Sequence, residues 1–577
     1  MVAVTAICGI VDFTTMQAKI TRHEFNETVQ YQQNKAGGPI LILILDGWGI
    51  GPDYPGNAIK LANTPTMDQL WLSYPHTQLT ASGQAVGLPE GVDGNSETGH
   101  MNIGAGSIIF QDLPRINAAI ADGTFAHNQA LLNAMNHAKT NNSTLHLFGL
   151  VGGGFVHSNV EHLYALLRVA KANEVPNVMI HAFTDGRDSP PTAGTNYIRR
   201  LLDECQNIGV GTLATIMGRF YAMDRDKKWD RIEKAYDALT MGSGRCTKDP
   251  VGALQQQYEE GITDEYIEPV NVCDENGTPR TVNDNDAVIF FNYRVDRPRE
   301  LTRAFVMQDF ERGFSDEDYD PHYEKYHKTS IQEQEFVSTF TRKKVVKNLY
   351  FSTMTTYERN LPADVAFPKL QIKENVGRVL SASGLRQLRL TETEKERMVT
   401  YYMNGQSQDG YPGEDWVIFP SKGARSYADV PEMDADEITD FLVDSLGKDA
   451  YDVIICNICN GDMVGHTGNL EAGIKACEIV DGMVKRITDM MLQKNGTVLI
   501  TADHGNIEEM INMETGEPDT EHSTFPVPFI IVNKDFQGQP RMLPTGILAD
   551  IVPTMLHLLK IEKPEGMTGR NLFVMDE

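Results

Sequence analysis

The stretch Ile40-Leu41-Ile42-Leu43-Ile44-Leu45-Asp46-Gly47-Trp48-Gly49 decides the fold. Six consecutive apolar residues with no polar alternation read as a strand covered on both faces, the pattern of a parallel sheet. The run stops at an aspartate. Val453 to Ile458 likewise leads to Asp462 and His466, and Val498 to Ile500 leads to Asp503 and His504. His522 follows in Glu521-His522-Ser523-Thr524. Further short runs at Leu145 to Val151, Val178 to Phe183, Leu213 to Met217, Val288 to Phe291 and Phe529 to Val532 alternate with helix-like segments. Such alternation predicts α/β architecture. In open α/β sheets, sites form beyond the carboxyl ends of strands, where nearly all of these polar residues fall.

A chain of 577 residues exceeds one ordinary core, so two or more domains are expected. Metal-ligating residue types fall in two blocks, and the segment between them is rich in arginine at its strand ends. The simplest arrangement is a discontinuous metal-binding domain, residues 38–111 and 370–577, with a second α/β domain, residues 112–369, inserted into it. Residues 1–37 read as an N-terminal extension. Candidate hinges are Gln111-Asp112-Leu113-Pro114 and the stretch from Ala363 to Gln371. The charged run from Phe310 to Lys328 reads as a solvated loop or helix.

The composition, 41% hydrophobic and 23% charged, permits a sizeable core. A net charge of −28 argues against nucleic-acid binding and against an anionic membrane surface. A small anionic substrate remains compatible where arginines and metal ions concentrate positive charge. No apolar stretch approaches the roughly 20 residues of a membrane span. Met1 to Phe13 lacks a basic region and carries Asp12, so it makes a poor signal peptide. Seven cysteines do not read as a disulfide framework and fit a reducing, cytosolic setting. Cys456 and Cys459 have CxxC spacing but read as buried thiols in an apolar strand.

Three groups of residues carry chemistry. The first is the carboxylate and imidazole set. Taken singly, its members are capping aspartates and satisfied histidines; taken together at strand ends, they point to one site for two divalent ions about 4 Å apart. Asp462 and His466, four residues apart, converge if the loop turns helically. Oxygen ligands suit Mg²⁺ and Mn²⁺, and nitrogen ligands move the preference towards Mn²⁺, Co²⁺ or Zn²⁺. The second group is Gly94-Asn95-Ser96-Glu97-Thr98-Gly99-His100. Ser96 fits a helix start, where free amides favour phosphate and a bound metal would stabilise its alkoxide; the plainer alternative is a Gly-Asn turn with a serine cap.

The third group is Arg187, Arg219, Arg225, Arg294 and Arg297, whose guanidinium forks suit carboxylates and phosphates. A helical turn would put Arg294 and Arg297 on one face. Surface pairing with the neighbouring aspartates explains each arginine singly, but less well all five after strands of one domain. His157, after Gly152-Gly153-Gly154-Phe155-Val156, and Asp188 complete the set as candidate general bases or acids.

With these motifs the chain resembles the 2,3-bisphosphoglycerate-independent phosphoglycerate mutases, members of the alkaline-phosphatase-like metalloenzymes. The marks are Leu45 to Gly49, the Ser96 motif, Asp185-Gly186-Arg187-Asp188, Arg219 to Asp226, Asn292 to Arg297, Glu394-Lys395, Asp462 to Gly468 and Thr501 to Asn506. The resemblance implies an alkaline-phosphatase-like metal-binding domain with an inserted phosphotransferase domain. It implies interconversion of 3-phosphoglycerate and 2-phosphoglycerate in glycolysis and gluconeogenesis, with no added bisphosphoglycerate. Ser96 would become phosphoserine and Lys395 would stabilise the transferring group. Asp462, His466 and His522 would hold one metal; Asp46, Ser96, Asp503 and His504 would hold the other, with Mn²⁺ first and Co²⁺ or Mg²⁺ as alternatives. His157, Arg187, Asp188, Arg219, Arg225, Arg294 and Arg297 would bind phosphoglycerate, with Asp188 the base for its hydroxyls.

A cytosolic monomer, without nucleic-acid or membrane partners, is the form the resemblance implies. Ser158-Asn159 stands where many members have Ser-His. The N-terminal extension and the stretch between Arg297 and Lys395 look longer than in compact members. Two domains closing over the substrate are expected to exclude water. The rival readings are a phosphopentomutase or phosphohydrolase on the same scaffold, and a non-catalytic relative whose metals serve folding.

Overall fold

The structure is a computed structural model that describes residues 18–25, 31, 37–313, 338–358 and 360–573. Met1 to Phe13 and the part of the charged run after Gly313 lie outside the described residues. The chain divides into two compact units. Met1–Gln111 with Gln371–Glu577 form one, and Asp112–Leu370 the other.

The strands of the first unit's N-terminal part are β1 (Lys19–His23), β2 (Ile40–Leu45) and β3 (His76–Thr80). The second unit supplies β4 (Thr144–Val151), β5 (Asn177–Thr184), β6 (Thr212–Gly218), β7 (Arg245–Thr247), β8 (Val270–Val272), β9 (Ala287–Phe290), β10 (Tyr350–Thr355) and β11 (Asp364–Phe367). The first unit resumes with β12 (Gln387–Glu392), β13 (Glu414–Phe419), β14 (Val453–Ile458), β15 (Thr497–Thr501), β16 (Val527–Asn533) and β17 (Gly546–Ile547).

The first sheet has the order β1-β13-β12-β14-β2-β15-β16-β3-β17. At its centre β2 is parallel to both β14 and β15, with Leu45 opposite Ile458 and Ile44 opposite Thr501. This register brings the three strands to an end side by side, so Asp46, Asp462 and Asp503 emerge from one edge of the sheet. All six residues of β2 are buried. Each such side chain contributes about 1.5–3 kcal/mol, so the edge from which the aspartates project is rigid. β1 pairs antiparallel with β13, so part of the N-terminal extension adds a strand to this sheet.

The second sheet has the order β11-β10-β9-β4-β5-β6-β8-β7. It is parallel from β11 through β6. Val151 lies opposite Thr184, and Thr184 opposite Gly218, so the segments carrying His157, Asp185 and Arg219 leave neighbouring strands at one edge.

The proposed hinges have more structure than expected. Gln111 ends the first unit, but Asp112 opens the helix Asp112–Ala121. Pro114 fits its first turn, where no amide donor is needed. β11 lies within Ala363 to Gln371. One pair of cysteines departs from expectation, while Cys456 and Cys459 are the buried thiols expected. Cys246 and Cys273 form a disulfide, while Cys205, Cys456, Cys459 and Cys477 are buried free thiols. The pair is 27 residues apart in sequence, and only the parallel pairing of β7 with β8 brings it together.

Candidate active site

Three buried carboxylates meet at the end of the first sheet. Lys395, on the turn after β12, reaches into them. Its ammonium donates to Asp46 Oδ1 at 2.8 Å, to Asp462 Oδ2 at 2.6 Å and to Ser96 Oγ at 2.6 Å, which uses all three of its protons. Burial works against this charge, but Asp46, Asp462 and Asp503 outweigh it and raise the lysine well above its usual range. Burial would likewise raise Asp462, yet Lys395, His466 and His522 hold it well below the usual carboxylate range.

Ser96 is the first residue of the helix Ser96–Ala105. The cap is Asn95, whose side chain accepts from Thr98 N. The serine hydroxyl is therefore left for the site: Oγ lies 2.9 Å from His504 Nε2 and 3.5 Å from Asp46 Oδ1. Two glycines permit the close packing. Gly47 has φ of +73°, and a Cβ there would meet Asp462 N at 2.8 Å; a Cβ on Gly99 would lie 2.6 Å from Asp503 O.

The histidines share one arrangement. His466 Nδ1 faces Thr520 O at 2.7 Å, His522 Nδ1 faces Gly94 O at 2.9 Å, and His504 Nδ1 faces Gly505 O at 3.2 Å. Donation to these carbonyls leaves each Nε2 lone pair aimed inward, as in metal-ligating histidines. His466 Nε2 and His522 Nε2 lie 3.1 Å apart, and His522 Nε2 is 3.1 Å from Asp462 Oδ1. His466 and Asp462 meet because Asn460–Gly465 is helical.

These residues fit divalent cations. Asp462, His504 and His522 form one cluster of potential ligands and Asp46, Asp503 and His504 another, each with its ligand atoms within 4.8 Å of one another. His504 thus belongs to both. At such distances two carboxylates repel by about 3–4 kcal/mol with an effective dielectric of 20. Facing imidazole lone pairs add to the strain. The need for positive charge is visible in His504: burial lowers its basicity, but Asp503, Asp46 and Asp462 push it up to about 10, so without a cation Nε2 takes a proton in place of its lone pair.

Several supporting residues were missed in the sequence. Asn457 donates to Asp46 Oδ2 at 2.6 Å and to His100 Nε2 at 3.0 Å. That fixes the His100 proton on Nδ1, which donates to Ser96 O at 2.9 Å. Asp503 Oδ2 lies 3.2 Å from the same Nδ1 without a hydrogen bond to it. Glu508 accepts from Gly49 N and Asn506 N, each at 2.9 Å, and from the Ser523 hydroxyl, tying three loops together. His100 had a signal, its place in the Ser96 motif; a buried glutamate on a loop had none.

The second unit gathers the other set. Buried Arg219 donates through Nη1 to Asp185 Oδ1 at 2.6 Å and to Asp188 Oδ2. Asp185, also missed, accepts from Asp188 N at 3.1 Å and from Ser189 Oγ at 3.0 Å and so shapes the turn. Asp296, another omission, accepts from Arg225 Nη1 at 2.8 Å and Arg294 Nε at 3.1 Å. Arg297 donates to Met223 O at 3.1 Å. Arg187 is half exposed, 3.6 Å from Glu265 Oε1. Pairing with acids therefore accounts for much of the arginine set. Arg294 and Arg297 lie in an irregular turn before the helix Arg299–Val306, not in a helical turn.

His157 Nε2 lies 3.8 Å from Asp188 Oδ2, and its Nδ1 lies 3.9 Å from Asp296 Oδ1. Burial, with Arg219 and Arg294, lowers it to about 4, so the ring is neutral near pH 7. Burial would raise Asp188, but Arg219 holds it low and ionised.

Residues 116–359 match the family described as BPG-independent PGAM N-terminus. The 2,3-bisphosphoglycerate-independent phosphoglycerate mutase of Clostridium beijerinckii is 46% identical over 538 residues, which cover 93% of this chain and 99% of that one. The chain belongs to the 2,3-bisphosphoglycerate-independent phosphoglycerate mutases. The Moorella thermoacetica member is 44% identical over 93% of this chain and 98% of its own. Among solved structures, Leishmania mexicana phosphoglycerate mutase at low cobalt concentration matches with a TM-score of 0.54 and 29% identity, over 96% of this chain and 100% of that one.

As a phosphoglycerate mutase the chain is an isomerase of glycolysis. Its Asn159 caps the helix Val160–Ala172 by accepting from Glu161 N at 2.9 Å. Ser158 donates to Leu150 O at 2.7 Å. No helix among the described residues is long and apolar enough to cross a membrane.

Proposed function

We propose that Ser96 carries the phosphoryl group between the two glycerate oxygens as a phosphoserine. The observation that supports this best is the convergence of Lys395 Nζ and His504 Nε2 on Ser96 Oγ, at 2.6 and 2.9 Å. In the first transfer the bond from phosphorus to the substrate oxygen breaks as the Oγ–P bond forms. Ser96 loses its proton and the released oxygen gains one. In the second transfer the other glycerate hydroxyl takes the group back and Ser96 regains its proton. The cycle balances without water and without bisphosphoglycerate.

Lys395 neutralises charge on the transferring group. Asp462, His466 and His522 would hold one divalent ion and Asp46, Ser96, Asp503 and His504 the other, Mn²⁺ before Co²⁺ or Mg²⁺. When bound, such ions favour the serine alkoxide and offset charge on phosphoryl oxygens.

The second unit holds the glycerate. Arg187, Arg219, Arg225, Arg294 and Arg297 grip its anionic groups, and the acids and the Met223 carbonyl beside them keep the forks oriented. Ionised Asp188 and neutral His157 each have a lone pair for the proton of a substrate hydroxyl. A monomeric, cytoplasmic enzyme is the form we propose, on the family resemblance.

The test is conversion of 3-phosphoglycerate with no bisphosphoglycerate added, comparing the intact protein with Ser96→Ala. Acid-quenched samples are searched for phosphoserine by mass spectrometry. Turnover and a phosphopeptide containing Ser96 are expected in the first and neither in the second. Equal rates in the two proteins would remove Ser96 from the mechanism.

A further inference from the structure

Glu300 is a glutamate buried to 1% exposure in the first turn of the helix Arg299–Val306, and no role above uses it. Its Oε1 accepts from Lys227 N at 3.0 Å. Lys227 has φ of +59°, a conformation costly for a side-chain-bearing residue, and here a buried acceptor holds it. The loop around it is wound on Asp224. Asp224 Oδ2 accepts from Asp226 N and Lys228 N, each at 2.9 Å, and Oδ1 accepts from Arg231 Nη1 at 2.8 Å. Asp224 is the charged neighbour that acts most strongly on the Glu300 carboxyl, and the buried Oε2 of Glu300 accepts no hydrogen bond from the described residues.

This loop carries Arg225. Met223, immediately before it, supplies the carbonyl that receives Arg297. Asp296 receives Arg225 and lies four residues before Glu300. Glu300 thus bridges the two segments that present three of the arginines.

We propose that Glu300 is a positioning residue for the mutase reaction: by bonding to Asp224 and to Lys227 N it locks the Asp224–Lys228 loop and aims Arg225 and Arg297 at phosphoglycerate. The proposal rests on the reading that these arginines bind substrate.

The bond to Asp224 requires a proton, since two carboxylates in contact repel. Burial, then Asp224, pushes the Glu300 carboxyl up to about 8, so the proton is held near neutrality. Asp226 faces Glu300 from the loop and adds to this, while Arg231 is paired with Asp224. On Glu300's own helix, Arg299 turns to Tyr357 O and Arg303 to Glu358. Above about pH 8 the bond is lost and the loop loosens.

The experiment measures KM and kcat for 3-phosphoglycerate from pH 6.5 to 9.5 in the full chain, as Glu300→Gln, Glu300→Ala and unchanged protein. Hydrogen exchange of the 226–228 amides is followed in parallel. Glutamine keeps a donor for Asp224 and an acceptor for Lys227 N, and it does not ionise. We expect Glu300→Ala to raise KM about tenfold at pH 7.5, the loss of one buried bond to a charged partner, with a smaller change in kcat and faster loop exchange. Glu300→Gln should restore both and abolish the alkaline rise in KM seen in the unchanged protein. An unaltered KM and loop exchange in Glu300→Ala, or a glutamine variant as impaired as alanine, would overturn the proposal. Arg225→Ala serves as the control. An unchanged KM there, with loop exchange still raised in Glu300→Ala, would put the failure in the substrate reading and break the link from loop to substrate.

Discussion

Lys395 donates to the Ser96 hydroxyl across 2.6 Å while the same ammonium bridges Asp46 and Asp462. One lysine therefore touches the proposed nucleophile and the carboxylates of both proposed metal sites. It is buried, and its charge is sustained by the acids around it.

Lys395→Ala should lower kcat by about 10²–10³, the usual loss when a preorganised charge donor is removed. Lys395→Arg should not restore it, because a planar fork does not match three donors radiating from one nitrogen. Steady-state kinetics with circular dichroism as a folding control measures this. A kcat within threefold of the unchanged protein in the alanine variant would rule out the proposed role.

Removing divalent metal should stop turnover and lower the melting temperature, since Asp46, Asp462 and Asp503 then repel one another. Adding Mn²⁺ should reverse both. Asn457→Ala tests the supporting groups separately. It removes the donor shared by Asp46 and His100, and outer hydrogen bonds of this kind are worth about 10–100-fold in metal affinity. Calorimetric Mn²⁺ titration should show that weakening. Identical affinities would mean that Asn457 serves the fold alone.

His157 should titrate near pH 4, not near 6.5. Burial comes first among the causes, and Arg219 and Arg294 add to it. Asp296 works the other way, so Asp296→Asn should move the midpoint lower still. NMR of labelled imidazoles, with His157→Gln to assign the resonance, reads this directly. A midpoint at 6 or above would mean that the ring is more solvated than its packing implies.

Acid should destabilise the second unit through its buried histidines. His162 is lowered from 6.5 to about 4 by burial, with Nε2 facing Asn117 Oδ1 at 2.9 Å. Burial also lowers His181 well below 6.5, and it lies 2.8 Å from His146. Below about pH 6.5 the unfolded chain binds protons that these folded rings refuse. Stability is therefore full above 6.5 and falls as pH drops towards 4, by about 1.4 kcal/mol per pH unit for each ring. Urea midpoints at pH 7, 6, 5 and 4.5 should decline accordingly, and His162→Gln should flatten part of the slope. A parallel decline in that variant would clear His162 of the effect.

Much of the fold was legible along the chain. β2 is a continuous apolar run and β14 and β15 are largely apolar, a pattern that marks strands buried on both faces. The acids and histidines behind them were equally visible, because residue type declares the chemistry. The roles of Asp185, Asp296, Asn457 and Glu508 were not, since each depends on a partner that a different segment of the chain brings to it. The turn at Arg294–Arg297 misled for a related reason: the spacing allowed a helical face, but Asp296 and the Met223 carbonyl draw the two side chains to different partners.

Sequence alone determined the strand runs, the identity of the ligating and guanidinium side chains, and their attachment at strand ends. Those are local properties, set by periodicity and by the atoms each side chain carries. Tertiary structure decided that β14, β2 and β15 lie side by side, that three imidazoles turn their Nε2 atoms inward, and that Cys246 meets Cys273. Those depend on strand order, register and the loops that follow the strands, which join separate segments and are written in no single stretch of the chain.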